Sequence, residues 1–181
     1  MKQLIECVPN FSEGRDMNII KQITDEIEKT EGVKLLDVDP GKATNRTVVT
    51  FVGDPDSVIE AAFHAISKAA EIIDMGKHKG EHPRFGGTDV CPLVPIAGIT
   101  MEETVKYAHQ LAERVGKELG IPVYCYENAA FTPERRNLAN NRAGEYEGLP
   151  KKLEDPHWKP DFGLAKFNPR TGAIAIGARD F

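Results

Sequence analysis

The sequence predicts an α+β domain with a ferredoxin-like split βαβ core, a mixed sheet of about six strands, and helices packed on one face. Three observations support this fold class. The apolar patterns over the first 96 residues follow the order strand, helix, strand, strand, helix, strand. Two β-branched runs, VKLLDVD and TVVTFVG, follow one another without a helix between them. Two later strand-like runs, PVYCYEN and TGAIAIG, enlarge the sheet.

Apolar spacing marks the first strand and the first helix. LIECV, residues 4–8, is typical of a short buried strand. After the polar residues that follow it, Ile19, Ile20, Ile23 and Ile27 recur at helical spacing, and Gly32 lies just past the end of the predicted helix. VKLLDVD and TVVTFVG then predict a hairpin, because the DPGKATNR segment between them is rich in residues that favour turns.

The second helix is predicted to begin at Asp54 and Pro55, because aspartate can cap the first amides and proline suits the first helical position. One face of this helix is apolar. It consists of Val58, Ile59, Ala62, Phe63, Ile66, Ala69, Ala70 and Ile73. CPLVPI, residues 91–96, predicts the fourth strand and completes the split βαβ order.

The second half of the chain alternates between helix and strand patterns. Thr100 and Glu103 have capping-box spacing at the start of a third helix, which Gly120 ends. PVYCYEN is the fifth strand, and a short polar helix is predicted from Pro133. Residues 143–170 contain so much Gly, Pro and charge that only brief helical turns are expected before TGAIAIG, the sixth strand.

Composition narrows the class of protein. With 181 residues and 40% hydrophobic content, the chain is expected to form one domain, residues 1–181. A formal charge of −5 argues against non-specific electrostatic binding of nucleic acid. No apolar stretch approaches the length of a membrane span, so no membrane partner is expected. Cys7, Cys91 and Cys125 lie in apolar runs, which favours buried thiols in a reducing compartment, the cytoplasm.

The segment GKHKGEHPRFGGTDV, residues 76–90, holds the densest group of polar side chains, and its four glycines and one proline disfavour regular structure. Loops anchored between buried elements often carry chemistry. His82 is the better acid–base candidate of two histidines, because the following proline restricts its backbone. Arg84 follows at once and could hold an anionic substrate. A surface histidine that bonds a loop carbonyl is the alternative.

Other chemistry in this loop has weaker support. His78 and His82 are four residues apart, but glycine and proline break the helix that a metal-binding HExxH motif requires, so no metal is expected. Asp89 either orients an imidazole or caps a turn. Cys91 lies in an apolar strand, which favours a buried thiol over a nucleophile.

Two further polar clusters each contain one arginine. DPGKATNRT, residues 39–47, lies between two strands, and NPRTG, residues 168–172, precedes the last strand. Each is either a turn or part of a site. Asp39 and Arg84 are the residues expected to bind substrate. Arg135 and Arg136 belong to the predicted polar helix and are expected on its solvent-exposed face.

Several motifs together resemble the formiminotransferase N-terminal subdomain, the first half of the glutamate formiminotransferase domain. They are VPNFSEGRD, DPGKATNRTVVTFVG, HPRFGGTDVCPLVPI, PVYCYE and TGAIAIGARDF, and they span essentially the whole chain. The resemblance implies transfer of the formimino group from N-formimino-L-glutamate to N5 of tetrahydrofolate, a co-substrate, in histidine breakdown. It implies the acid–base role for His82.

The resemblance also implies folate contacts in the stretch before the last strand. These residues are Gly163, Leu164, Ala165, Lys166, Phe167, Asn168, Pro169, Arg170, Thr171 and Gly172. In the family, a C-terminal subdomain follows and the folate lies in the cleft between the two halves, so such a subdomain and a homodimer are expected partners. The alternative function is a non-catalytic folate-binding or dimerisation module that keeps the fold.

Overall fold

The structure is a computed structural model that describes residues 2–80 and 83–181. Seven strands and five α-helices are found in these residues. The strands are β1 (Leu4–Cys7), β2 (Asn10–Phe11), β3 (Val33–Gly41), β4 (Arg46–Gly53), β5 (Thr88–Ala97), β6 (Val123–Glu127) and β7 (Ile174–Ala178). The helices are α1 (Met17–Glu28), α2 (Pro55–Ile72), α3 (Met101–Arg114), α4 (Leu138–Arg142) and α5 (Leu149–Lys152).

The strands form one mixed sheet. Across it the order is β3, β4, then β1 and β2 together, then β5, β7 and β6. Because β1 and β2 both pair with β4 and β5, they occupy one position, and the seven strands fill six positions. The first four positions are antiparallel, whereas β7 is parallel to β5 and to β6. This arrangement confirms the predicted α+β class, the split βαβ core and the six-position mixed sheet.

The helix starts follow from their caps. Asp54 accepts a hydrogen bond from the Ser57 amide at the start of α2. Thr100 and Glu103 form both halves of the predicted capping box of α3. At the other end of that helix, the chain continues through a short π-helical turn to Gly120, whose φ of 68° is the left-handed conformation that glycine adopts most readily.

The main core lies between the sheet and the three long helices. It contains the buried side chains of α1 and α2 together with alternate residues of the strands. Val49 and Phe51 of β4, for example, are fully buried on this side, and Ile174 and Ile176 of β7 face the same core. Cys7, Cys91 and Cys125 are buried free thiols in this structure, as their positions in apolar strands predicted.

The other face of the sheet is covered at one end only. Tyr124 of β6 packs with Phe85 and Leu149, and Tyr126 packs with Leu138, so α4 and α5 lie over β6 and β7. These two short helices lie on the face opposite α1, α2 and α3, so the predicted packing of helices on one face holds only for the three long helices. The polar helix predicted from Pro133 is a 3₁₀ turn that stops before Asn137, whose side chain caps α4.

A buried lysine fixes the position of α4 and α5. The Lys152 ammonium donates to the carbonyl oxygens of Asn140, Asn141 and Ala143. It also lies 4.3 Å from the centre of the Trp158 ring. Burial lowers the pKa of the Lys152 ammonium to about 8.

Replacing Lys152 by methionine is expected to lower the free energy of unfolding by about 1–3 kcal/mol, because three carbonyl oxygens lose their charged donor. Urea denaturation followed by circular dichroism measures this change. The exposed neighbour Lys151, replaced in the same way, is the matched control and should shift stability far less. Equal losses for both variants would contradict the role given to Lys152.

On the part of the second face formed by β3 and β4, the side chains are half-buried or exposed. Asp39 is exposed on β3 and lies opposite Val48 of β4, which in turn lies opposite Asn10 of β2. Arg46 is two residues from Val48 and therefore projects from the same face. None of the helices in the described part of the chain is long and apolar enough to cross a bilayer.

Candidate functional site

The loop that precedes β5 is held by contacts on both of its flanks. On the first flank, Asp74 accepts a hydrogen bond from the Gly76 amide, and the Met75 amide donates to the Arg170 carbonyl at 2.9 Å. Asn45, in the turn between β3 and β4, donates its side-chain amide to the Lys79 carbonyl at 3.0 Å. The loop therefore runs across the turn of the hairpin.

Gly80 makes the closest approach to that turn. A Cβ atom at this position would lie 2.3 Å from the Thr44 carbonyl oxygen, so no other residue fits without moving the backbone. The glycines that the sequence placed in this loop thus allow two backbones to pack directly together.

The second flank is fixed by the sheet and by the segment that carries α4 and α5. The Tyr146 amide donates to the Arg84 carbonyl at 3.0 Å, and the Ala173 amide donates to the Phe85 carbonyl at 3.1 Å. Gly86 forms a β-bridge with Gly172. His82, the predicted acid–base residue, and Glu81 lie outside the described residues, between these two anchored flanks.

His78 is a buried residue of the first flank. The residue is 8% exposed, and its Nε2–H donates to the Asn45 carbonyl at 2.9 Å. Among the described residues, its Nδ1 has no hydrogen-bond partner. Burial lowers the pKa of the His78 imidazole, and the nearby Arg84 charge adds to this shift. The neutral ring is therefore the form that the fold favours.

The neutral state of His78 predicts how stability depends on pH. Its folded-state pKa lies below the ordinary value of 6.5, so between these two values the unfolded chain binds more protons than the folded chain. The free energy of unfolding should therefore fall as the pH is lowered through this window. Urea denaturation at several pH values around about 6.5 measures this dependence.

His78→Gln should have a flatter dependence on pH than the wild type, because glutamine can still donate to the Asn45 carbonyl but does not titrate. His64→Gln, at an exposed position on α2, is the matched control and should keep the wild-type slope. The same slope in His78→Gln and the wild type would rule out this source of the acid sensitivity.

Arg84, predicted to bind substrate, is engaged by protein groups. Its Nη2 is 2.6 Å from a carboxylate oxygen of Glu147 and donates to the His78 carbonyl at 3.3 Å. This pairing lowers the pKa of the Glu147 carboxyl. The guanidinium also lies 5.6 Å from the centre of the Tyr146 ring. Substrate binding by Arg84 stays a prediction. The contacts described here give the residue a structural role in the loop.

Asp89 lies at the centre of a charged cluster, in which its carboxylate joins Arg46 and Arg142. We call these two residues the arginine pair. Asp89 Oδ2 accepts hydrogen bonds from Arg46 Nη1 at 2.6 Å and from Arg142 Nη1 at 2.5 Å. Its other oxygen, Oδ1, accepts from the Phe85 amide. Arg46 also donates from Nε to Asn10 at 2.9 Å. The cluster joins β2, β4, β5 and α4.

Only part of this cluster follows from the sequence. Asp89 is predicted to accept from an imidazole or to cap a turn, whereas among the described residues its carboxylate accepts from one loop amide and two arginines. Arg46 lies in the polar cluster that was noted at residues 39–47. Arg142 is not predicted, because it stands in no pattern that distinguishes it from a surface residue, and Asn10 is part of the VPNFSEGRD motif without being singled out.

The predicted folate-binding segment, residues 163–172, divides into two parts. Gly163 packs against the backbone of Ile121 and Gly116, beside the end of α3. The second part approaches the loop: Phe167 packs on Tyr146 with ring centres 5.5 Å apart, and Gly172 forms its bridge with Gly86. The structure therefore brings only the later residues of this segment next to the candidate loop.

A cavity of about 310 Å³ lies between the loop and the ends of α1 and α2. Its lining includes Ser12, Glu13, Asn45, Asp74, His78 and Arg170. Arg170, from the predicted folate-binding segment, donates to the Glu71 carbonyl at 2.5 Å. Across residues 2–80 and 83–181, no three His, Cys, Asp or Glu side chains are grouped closely enough to hold a metal ion.

Comparison with known proteins identifies the family to which the chain is similar. The family described as "Formiminotransferase domain, N-terminal subdomain" matches residues 4–179. The chain is 54% identical over 181 residues to a formimidoyltransferase-cyclodeaminase of Dictyostelium discoideum, covering 100% of this chain and 34% of that protein.

Shorter relatives are matched as well. The chain is 49% identical over 179 residues to a glutamate formimidoyltransferase of Streptococcus pyogenes serotype M1, covering 99% of this chain and 60% of that protein. It is 51% identical over 180 residues to a glutamate formimidoyltransferase of Thermoplasma acidophilum, covering 98% of this chain and 59% of that protein. The chain thus spans about a third to three fifths of the length of these relatives.

Proposed function

We propose that this chain, which belongs to the formiminotransferase N-terminal subdomain family, is part of a folate-dependent glutamate formimidoyltransferase. It would transfer the formimino group from N-formimino-L-glutamate to N5 of tetrahydrofolate in histidine degradation. One observation carries the proposal: identity of about 50%, spread over nearly the whole chain, to two proteins named glutamate formimidoyltransferase.

The chemistry requires proton transfer at two nitrogen atoms. N5 of tetrahydrofolate attacks the amidine carbon, and a tetrahedral intermediate forms. Its collapse breaks the bond to the glutamate nitrogen, so N5 loses a proton and the leaving nitrogen gains one. We assign both transfers to His82, since a near-neutral imidazole can accept a proton and return it. The reaction balances without a covalent enzyme intermediate or a metal.

The surroundings of position 82 support this assignment. The segments on both sides of it are fixed, by Asn45 on one flank and by Tyr146 and Ala173 on the other. A catalytic side chain gains from such support, because its position must be held within a fraction of an ångström. We further propose that the later part of residues 163–172 contacts folate, and that Asp39 and Arg84 contact substrate.

The longer relatives support a proposal about the complete protein. A second subdomain would face the sheet surface that carries Asp39 and Asn10, and folate would lie in the cleft between the two halves. We propose a homodimer in the cytoplasm as the working form. The alternative is a folate-binding or dimerisation module that keeps the fold without catalysis.

The test compares the full-length protein with residues 1–181 expressed alone. Formimino transfer is followed by the formation of 5-formiminotetrahydrofolate, and folate binding by calorimetry. Turnover by the full-length protein with N-formimino-L-glutamate is the expected result. Folate binding without turnover in the full-length protein would instead favour the non-catalytic module.

A further inference from the structure

The arginine pair carries an unbalanced charge. Two guanidinium groups share one carboxylate, so the three side chains together hold one net positive charge. The Asp89 side chain is 0% exposed, whereas those of Arg46 and Arg142 are 11% and 16% exposed. Charges that are removed from water are normally paired, so an excess cation at this depth favours an anion as its further partner.

The donors that remain suit a carboxylate. Arg46 uses Nε and Nη1 for its contacts with Asn10 and Asp89, and Arg142 uses Nη1. The second terminal nitrogen of each arginine takes no part in these bonds. Arg142 Nε is buried, and no described residue accepts a hydrogen bond from it. A guanidinium presents its donors in a planar fork that matches the two oxygens of a carboxylate.

The pair is attached to the candidate loop. Asp89 Oδ1 accepts the Phe85 amide, and Phe85 is three residues beyond position 82. Consecutive Cα atoms are about 3.8 Å apart, so three residues span at most about 11 Å. Arg142 is held from the other side, because the Lys152 ammonium binds the carbonyls of Asn141 and Ala143 that flank it.

We propose that Arg46 and Arg142, oriented by Asp89, bind a carboxylate of the formimino donor. This inference rests on the proposed function. N-formimino-L-glutamate carries its α-carboxylate two bonds from the nitrogen that leaves, so a group that binds this anion must lie near the acid–base residue. The pair would hold the donor in place and make the enzyme select a carboxylate-bearing amidine.

Steady-state kinetics of the full-length protein test the assignment, with each substrate varied in turn. Arg142→Gln and Arg46→Gln should raise KM for N-formimino-L-glutamate about 10- to 100-fold, since each removes a charged donor. KM for tetrahydrofolate should stay within about two-fold of wild type. Arg142→Lys keeps the charge but loses the fork, and should show an intermediate effect. Arg136→Gln, at an exposed position nearby, is the matched control.

The glutamate tail of folate offers the same carboxylate chemistry, and a second arm separates the two sources. Tetrahydropteroate, which lacks that tail, replaces tetrahydrofolate. If the variants raise KM for tetrahydrofolate but leave KM for tetrahydropteroate and for the donor unchanged, the pair binds the folate tail and the inference is wrong. Unchanged donor KM in both glutamine variants would also overturn it.

A third arm does not depend on turnover. Calorimetry should detect binding of L-glutamate, the product, to the wild-type protein. In Arg142→Gln the affinity for L-glutamate should be lower by about 10-fold or more. Equal glutamate affinity in wild type and variant would overturn the inference even if the enzyme is active. A wild-type protein that binds glutamate through Arg142 but transfers no formimino group would instead refute the proposed function alone.

Discussion

Replacing His82 by alanine in the full-length protein is expected to lower the turnover of formimino transfer by about 10²- to 10⁴-fold. The reason is that the tetrahedral intermediate breaks down only when one nitrogen loses a proton and the other gains one. Folate binding should survive, because the role proposed for the imidazole is proton transfer at the reacting nitrogens rather than binding of folate. Steady-state turnover and calorimetry with a reduced folate measure the two quantities separately.

The control for this variant is His64→Ala, at an exposed position on α2, which should retain full turnover. Comparable turnover in His82→Ala and the wild type would remove His82 from the mechanism. A simultaneous loss of folate binding would point to a role in the binding site instead of proton transfer.

Replacing Asp89 by alanine is expected to lower the free energy of unfolding by about 3–5 kcal/mol, the cost of breaking a buried ion pair by removing one partner. Two guanidinium groups would lose the carboxylate that joins them, and the Phe85 amide would lose its acceptor. Urea denaturation at neutral pH measures the loss.

Asp39→Ala is the matched control, because Asp39 is an exposed aspartate on the neighbouring part of the same sheet. Its effect on stability should be within about 0.5 kcal/mol. If Asp89→Ala is as stable as Asp39→Ala, the arginine pair does not depend on this carboxylate, and its role in orienting the two guanidinium groups must be abandoned.

Most of the fold could be predicted because its signals are local. Helix spacing, the Asp54 cap and the Thr100–Glu103 capping box each depend on residues within a few positions, and each was confirmed. The covered second face was not predicted, although a signal was present. VYCY, residues 123–126, is an unbroken run of apolar and aromatic residues, which is typical of a strand covered on both sides, and all four residues are buried.

The candidate site was only partly accessible to sequence reasoning. The loop stood out through its glycines and its density of polar residues, and the structure fixes both of its flanks. Asp89 and its arginines were not recognised as a group, because Arg46 and Arg142 are 43 and 53 residues away in sequence. Pairings of that range depend on how strands are ordered, which local patterns do not encode. The role of His82, inferred from its loop and from the resemblance, and that of the folate-binding stretch, inferred from the resemblance alone, remain predictions.

The order of strands also bears on how the molecule assembles during synthesis. β7, the last strand along the chain, lies between β5 and β6, so β6 cannot join the sheet before residues 174–178 have left the ribosome. Until then the antiparallel part of the sheet, which consists of β1 to β5, can form. During this time β6, which contains two tyrosines, has no neighbouring strand to pair with. Such late, long-range closure raises the contact order and slows folding, and it places the greatest risk of misassembly in the interval before β7 becomes available.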